Sequence, residues 1–408
     1  MRILLVSQWF TPEPFFKGLP FARALMDRGH DVQVLTGFPN YPGGRLYPGY
    51  RLRPLQREVM EGIPVIRVPL YPSHDASSVR RAVNYASFAL SAACIGPWAA
   101  KKADVAYVYH PPATVALPAM ALHWMRRVPF VYDVQDLWPD TLGATGMLRH
   151  RAILNLVGRW CSLAYRKAAR IVVLSPGFRD ALVRRGVPGS KIEVIYNWCE
   201  EDCIRRAPRN EALADALGMA GRFNIVFAGT MGKAQALDAV LECAGIVAKR
   251  SPKLQFVFVG GGIDVDRLKA IARGKCLSNV LFLARRPVSE IGDLLNLADV
   301  LLVHLKDDPL FRITIPSKIQ TYLAVGRPIL AGVGGDAAAL VEKAGAGISC
   351  IPERAESIAG AAESMFRMAK GELQAMGENG RRYYWRELSR DAGVTRFEEI
   401  FQAVTGKK

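Results

Sequence analysis

The chain has 408 residues, half of them hydrophobic and 22% charged, which is the composition of a folded chain of more than one domain and excludes a largely disordered one. Lys and Arg number 54 against 37 Asp and Glu, a net charge of +17. Residues 1–196 hold most of it, 25 minus 12 giving +13, against 29 minus 25, or +4, for the rest, and so one-sided a balance points to a polyanionic partner: nucleic acid, an anionic membrane face or a phosphorylated ligand.

Met1 to Ser7 has one basic residue, a short apolar stretch and no small-residue cleavage site, so it reads as a first strand, Ile3 to Ser7, and not as a secretory signal. A loop rich in Pro and aromatics follows from Trp9 to Pro20, then the helix-period stretch Phe21 to Met26, closed by Gly29. Val32 to Thr36 alternates as a strand does, and Val65 to Val68, Val105 to Tyr109, Phe130 to Tyr132, Ile171 to Leu174 and Ile192 to Ile195 are further strand candidates. Ala82 to Ala100 comes nearest to a membrane span, but Asn84, Gly96 and Pro97 interrupt it; it reads as a helix that is either buried or surface-lying. Strand and helix in this rhythm imply right-handed crossovers and a parallel, doubly wound α/β sheet.

Cys199 to Gly221 is charged, irregular and poor in large apolar residues, and is expected to be a linker and hinge. The rhythm then restarts at Phe223 to Gly229 and continues through Leu254 to Val259, Val280 to Leu283, Val300 to Val303 and Pro328 to Ala331. Seven scattered cysteines without a C-x-x-C pair fit a reducing cytosol and argue against a disulfide framework or structural zinc. No H-E-x-x-H, Cys/His cluster, G-x-S-x-G elbow or nucleic-acid signature is present.

Several loops directly after strands have ligand-binding chemistry. Gly229-Thr230-Met231-Gly232-Lys233-Ala234-Gln235 combines glycines that admit an anion with a lysine charge. Gly260-Gly261-Gly262 fails the dinucleotide spacing and reads as a glycine turn. Thr314-Ile315-Pro316-Ser317-Lys318-Ile319 opens a helix that runs to about Val325, and Lys318 in its first turn opposes the helix dipole, as a bound phosphate would explain. His110 stands at a strand mouth before two prolines, and Asp133, Asp136 and Asp140 share one loop with Trp138. Asp264-Val265-Asp266 is read as helix capping.

The opening Ser7 to Glu13 and the block Arg28 to Gly44, followed in order by Asp136-Leu137-Trp138-Pro139, Tyr196-Asn197, Gly229 to Gln235, Pro316-Ser317-Lys318 and Gly326-Arg327-Pro328, resemble a bacterial glycosyltransferase of family 4, in the branch typified by the fucosamine-type transferases of O-antigen and capsule assembly. The resemblance implies the GT-B fold: two Rossmann-like domains facing a central cleft, residues 1–200 with about 386–408 crossing back, and residues 201–385. It implies metal-independent, retaining transfer of an N-acetylated amino or deoxyamino hexose, with no cofactor, from a nucleoside diphosphate, taken as UDP, to a lipid-diphosphate-linked saccharide in lipopolysaccharide, O-antigen or capsule synthesis. Gly229, Thr230, Gly232, Lys233, Gly261, Arg285, Ser317, Lys318 and Thr321 would hold the donor, His110 would touch its sugar, and Lys233 and Lys318 would steady the leaving phosphate. Gly18, Asp133, Asp136 and Trp138 would line the acceptor side. The basic first half, with Arg80, Arg81, Lys101 and Lys102 around the Phe88 helix, would meet an anionic membrane from the cytoplasmic face. Alternatives are a GT-B nucleotide-sugar epimerase or hydrolase and a non-catalytic sugar-nucleotide-binding subunit.

One departure stands out. Many relatives carry an E-x7-E pair whose second carboxylate lies five residues before the glycine matching Gly326; here the two positions are Ile313 and Thr321. Gln320, Thr321, Asp307 and Asp308 are the candidates for the missing carboxylates' work.

Overall fold

The structure, a computed structural model, describes residues 1–407 apart from 16, 74–76, 145, 146, 149 and 205. The chain divides into two units. Met1–Leu174, Phe178–Ile195 and Val394–Lys408 make the first; Ser175–Gly177 and Tyr196–Gly393 make the second.

The first unit has an eight-stranded sheet: β1 (Arg2–Val6), β2 (Asp31–Gly37), β3 (Gln56–Met60), β4 (Ile63–Val68), β5 (Val105–His110), β6 (Phe130–Val134), β7 (Arg170–Val173) and β8 (Ile192–Val194), in the order β3-β4-β2-β1-β5-β6-β7-β8. Seven strands are parallel and β3 is antiparallel to β4. β5 and β6 are buried at every residue, as parallel strands covered by helices on both faces must be. β3 was not anticipated. Its sequence QREVM is mostly polar, its burial alternates, and as an edge strand it needs no apolar run.

The second unit has a six-stranded parallel sheet: β9 (Phe223–Ala228), β10 (Leu254–Val259), β11 (Val280–Leu283), β12 (Val300–His304), β13 (Ile329–Gly332) and β14 (Gly347–Ser349), in the order β11-β10-β9-β12-β13-β14. The order reverses between β9 and β12, and ligands of such sheets bind outside the carboxyl ends of the strands at that switch. The core beneath it joins Ile225, Phe227, Phe256 and Phe258 to the helix Leu237–Arg250 through Val240, Leu241 and Ala244.

The segment expected to be a linker and hinge, Cys199 to Gly221, is instead part of the second unit. Ala214 and Met219 are fully buried. Arg209 donates hydrogen bonds to the carbonyls of Leu297 and Met219. Few large apolar residues sufficed because guanidinium contacts to backbone do part of the holding. The expected boundaries, 200/201 and 385/386, compare with 195/196 and 393/394 here.

Candidate functional site

In the second unit the carboxyl ends of β9 and β10 carry the two glycine loops side by side. Gly229 N–H donates to Val259 O at 2.8 Å, and Met231 N–H to Gly261 O at 2.8 Å. Gly229 has φ +136°, and a Cβ there would lie 2.6 Å from Lys318 Cε. Gly260 has φ +141°, and a Cβ there would lie 2.1 Å from the Gly229 carbonyl oxygen. Glycine is therefore required at both, once for the lysine stem and once for backbone meeting backbone.

The helix Ser317–Val325 starts over these loops, as its sequence suggests, after Pro316 and with Gly326 as its stop. Ala228 N–H donates to the Tyr322 hydroxyl at 2.9 Å, which pins the helix to the end of β9. Lys318, in the first turn, lays its Nζ 3.4 Å from the centre of the Phe227 ring. No carboxylate of the described residues comes within ion-pair distance of it, and burial pulls its pKa down to about 7. Thr321, one turn on, donates to Ser317 O at 3.3 Å.

Together these elements bound a cleft of about 480 Å3 lined by Gly229, Thr230, Gly260 to Gly262, Arg285, Arg286, Ser317, Lys318, Thr321 and Tyr322, with Val288, Ile291 and Leu295 as an apolar wall. It has three cations and no carboxylate in its lining. A lining of this charge with a dry side has the chemistry to take a phosphate group carrying an apolar or flat substituent. The sequence reading named most of this set and missed Arg286 and the apolar wall. The signal for these was there: they follow directly on β11, at the start of the helix Val288–Leu295.

Other expected donor residues are placed differently. Lys233 is exposed, opens the single turn Lys233–Gln235 and does not line the cleft. Gln235 Oε1 accepts from Gly232 N–H at 3.0 Å, so this loop is braced by its own side chain. Neither Gln320, buried at 3% exposure, nor Asp307 nor Asp308 lines the cleft. Asp307 is paired with Arg312 at 2.7 Å and Asp308 caps Leu310 N–H at 2.9 Å. Of the four substitutes for a carboxylate, Thr321 alone faces the cleft. Asp264 precedes the helix Val265–Gly274, but its side chain bonds Arg267 at 3.2 Å instead of capping.

In the first unit, the opening motif has a structural basis. Glu13 accepts from the N–H groups of Phe10 (3.0 Å), Asn40 (2.8 Å) and Tyr41 (2.8 Å), tying the loop after β1 to the loop after β2. Burial raises its pKa to about 7 against these three bonds. Gln8 donates to Asn84 at 2.6 Å, and Asn84 to Asn40 at 3.2 Å, so the same loops are tied to the helix Ser78–Ala99. Above them runs an aromatic series: Trp9 to Tyr41 (5.0 Å) and Tyr85 (6.4 Å), Tyr85 to Trp138 (6.2 Å), Trp138 to His110 (5.5 Å).

Asp133 is a correction. It was expected on the acceptor wall, but it lies inside the core at 0% exposure, paired with Lys17 at 2.6 Å and accepting from Tyr107 at 2.6 Å and Gln135 at 2.6 Å. As a member of β6 its side chain points into the helix layer, and a buried carboxylate must be fully partnered. Gly18 is buried before the helix Leu19–Asp27. His110 is fully buried; neither ring nitrogen has a partner among the described residues, and burial holds its pKa near 3. Asp136 is half-buried with no side-chain partner among the described residues, and burial lifts its pKa to about 6. Asp140 pairs with Arg185. No group of three or more metal-ligating side chains occurs among the described residues.

Comparison with known proteins bears on both units. Residues 19–198 match the family described as Glycosyl transferase 4-like domain, and residues 222–367 that described as Glycosyl transferases group 1. The chain is 26% identical over 339 residues to a protein of Escherichia coli K12 described as colanic acid biosynthesis glycosyl transferase WcaI, covering 80% of this chain and 82% of that one. It is 28% identical over 140 residues to an alpha-galactosylglucosyldiacylglycerol synthase of Streptococcus pneumoniae R6, 33% of this chain and 35% of that one. Among solved structures, Anabaena Alr3699/HepE in complex with UDP superposes with a TM-score of 0.72 at 16% identity, over 99% of this chain and 100% of that one. At that identity the likeness concerns the fold.

Proposed function

We propose, for a chain that belongs to the GT-B glycosyltransferases of the group 1 and 4-like families, that the cleft of the second unit holds a nucleoside-diphosphate sugar, with UDP as the nucleotide. The carrying observation is the cleft's lining of three cations and no carboxylate at the carboxyl ends of β9 and β10. The HepE complexes with UDP and with UDP-glucose support this choice of ligand. Lys318 and the amides of the helix start would face the diphosphate, Arg285 would approach its outer side, and the Val288, Ile291 and Leu295 wall would take the base. Ser317 and Thr321 would receive the ribose hydroxyls. As the glycosidic bond breaks, charge grows on the leaving phosphate, and a dry, pre-placed ammonium stabilises that charge more in the transition state than in the ground state. Transfer would proceed with retention, by front-face attack of the acceptor hydroxyl assisted by the leaving phosphate, without metal or cofactor. The sugar would be an N-acetylated amino or deoxyamino hexose.

The acceptor in this reading is a lipid-diphosphate-linked saccharide in surface polysaccharide assembly. The WcaI relative, described as a colanic acid biosynthesis glycosyl transferase, supports the polysaccharide part of this reading, and the glycosyldiacylglycerol synthase, similar over 140 residues, supports a lipid as part of the acceptor. The helix Ser78–Ala99 adds a physical reason. Its inner face is core, with Asn84, Phe88, Ala92 and Gly96 buried. Its outer face is an apolar stripe of Val79, Val83, Leu90 and Trp98, exposed by 72, 46, 59 and 78%, and Trp124 of the helix Ala116–Arg126 is exposed by 84%. Arg80, Lys101, Lys102 and Arg127 are exposed around these elements. An apolar stripe with a basic rim is the pattern of a helix lying in an anionic membrane interface. No helix of the described residues is long and apolar enough to cross a membrane.

The test is turnover of a panel of nucleotide sugars with and without a polyprenyl-diphosphate-linked saccharide. Release of nucleoside diphosphate that depends on the acceptor is expected. Conversion without acceptor would indicate an epimerase or hydrolase instead, and binding without turnover a non-catalytic subunit.

A further inference from the structure

Gly326-Arg327-Pro328 belongs to the family-like pattern, yet Arg327 lies away from the donor cleft. The helix Ser317–Val325 has nine residues, so Gly326 stands about 13 Å from the cleft end of that helix at about 1.5 Å per residue. There, just before β12 and β13 begin, is a second cavity of about 580 Å3. Arg206, Arg209, Arg327 and Lys370 line it, and Asp299 is the one carboxylate in the lining.

Two of these cations, Arg206 and Arg209, have carboxylate partners, and two, Arg327 and Lys370, do not among the described residues. Arg209 is fixed by the carbonyls of Leu297 and Met219, pairs with Glu211 at 3.2 Å and lies 3.7 Å from Asp299. Arg206 is paired with Glu378. Arg327 donates to Asn296 O at 2.5 Å. Neither Arg327 nor Lys370 has a carboxylate of the described residues within ion-pair distance, and Asp299 also accepts from the Asn224 N–H at 2.7 Å. Burial, and beyond it the charges of Arg206 and Arg209, pull the Arg327 pKa down against the pull of Asp299. Arg327 and Lys370 thus leave positive charge in a hollow whose other cations are already paired, and an incoming anion would compensate it. Planar guanidiniums held by backbone carbonyls, with an ammonium beside them, are the donors that phosphate oxygens select.

We propose that this cavity is a second anion site that takes the phosphate group of a small phosphorylated metabolite. Arg327 and Lys370 grip the phosphate, and Pro208, Pro328 and Leu373 of the same lining meet the carbon skeleton. The volume suits a ligand of metabolite size rather than a polymer. The site is distinct from the donor cleft, which shares none of its lining residues.

The experiment is a calorimetric titration of inorganic phosphate, and separately of glucose 6-phosphate, into the full chain in the presence of excess UDP. Wild type and Lys318→Gln, which alters the donor cleft alone, are expected to bind both probes alike, the sugar phosphate more tightly. Lys370→Gln and Arg327→Gln are each expected to weaken binding by about tenfold, the loss of one charge-assisted contact. Lys370 opens the helix Lys370–Tyr383, so its substitution leaves the fold intact and carries the test if Arg327→Gln melts early. No binding with UDP present, binding unchanged in both variants, or binding lost in Lys318→Gln would each overturn the assignment. The last outcome would show phosphate entering the donor cleft, which leaves the donor reading standing while this one falls.

Discussion

If the cleft takes the proposed nucleotide, Lys318 would couple its binding to pH. With no carboxylate of the described residues at ion-pair distance, and lying over Phe227, its ammonium is held down to about pH 7 by burial. A diphosphate beside it restores a high pKa, so the complex binds one more proton than the free protein at any pH between the two values. Affinity for UDP should therefore be flat below pH 7 and fall above it by up to about tenfold per pH unit, a window clear of the phosphate's own ionisation near about 6. Titrations at pH 6.5 to 9 (roughly the span of the linkage) in wild type and Lys318→Gln check this, the variant being weaker and pH-independent. Turnover separates the two lysines. Lys318→Ala should raise the barrier by about 2–4 kcal/mol, while Lys233→Ala, an exposed and water-screened charge, should change it by less than about 1 kcal/mol. A comparable loss in both would return Lys233 to the donor site. Thr321 offers a gain instead. A carboxylate there would accept ribose hydroxyls, a charged bond of about 1.5–3 kcal/mol, against only about 0.2–0.5 kcal/mol for pairing with Lys318 three residues back. Thr321→Glu is expected to tighten UDP by about tenfold, and weaker binding would mean another group already occupies the space.

The helix Ser78–Ala99 is where a single element serves two environments, and its outer stripe can be tested without touching the core. Burying one Leu or Trp side chain contributes about 1.5–3 kcal/mol, and a basic residue near an anionic surface about 1 kcal/mol. Leu90→Ser with Trp98→Ser should cut co-sedimentation with phosphatidylglycerol vesicles by at least about a hundredfold at any salt. Glu at Arg80, Arg81, Lys101 and Lys102 should cut it in a way that vanishes in high salt, where the screening length drops to about 3 Å. Wild-type affinity in both variants would leave the stripe as ordinary surface. This helix and most of the strands were legible because apolar periodicity records which faces are covered. β3 and the three-residue β14 were not, since an edge strand of polar residues and a strand of a single Ile leave no periodic trace. Most of the lining of the candidate cleft was legible because it is built from short post-strand segments whose glycines and lysine are local signals. The pairing of Asp133 with Lys17 was not, because the partners are 116 residues apart and a buried carboxylate reads in sequence like an exposed one.

At the scale of the whole chain, the end of the sequence completes the first unit. Val394, Phe397 and Phe401 of the helix Arg390–Thr405 are fully buried. Phe397 packs at 5.2 Å from Phe21 and 5.4 Å from Tyr107, and lies 4.8 Å under the Lys17 ammonium that holds Asp133. Glu398 pairs with Arg28 at 3.0 Å and His30 at 2.9 Å, and Lys407 with Asp104 at 2.7 Å. Residues 1–195 alone would expose this aromatic surface and the Lys17–Asp133 pair beneath it. Phe397→Ala should cost about 3–5 kcal/mol, and a fragment of residues 1–195 should lack a cooperative unfolding transition. The chain's ends also meet, with Thr405 Oγ1 3.6 Å from the Met1 sulfur. Residues 390–407 joined by a short Gly/Ser linker ahead of residues 1–195 should therefore restore cooperative melting, because closing so small a gap adds little loop entropy. Thermal unfolding followed by near-ultraviolet circular dichroism decides it. A sharp transition in the bare 1–195 fragment, or none in the permuted one, would show that the last helix is an attachment to this unit and not part of its core.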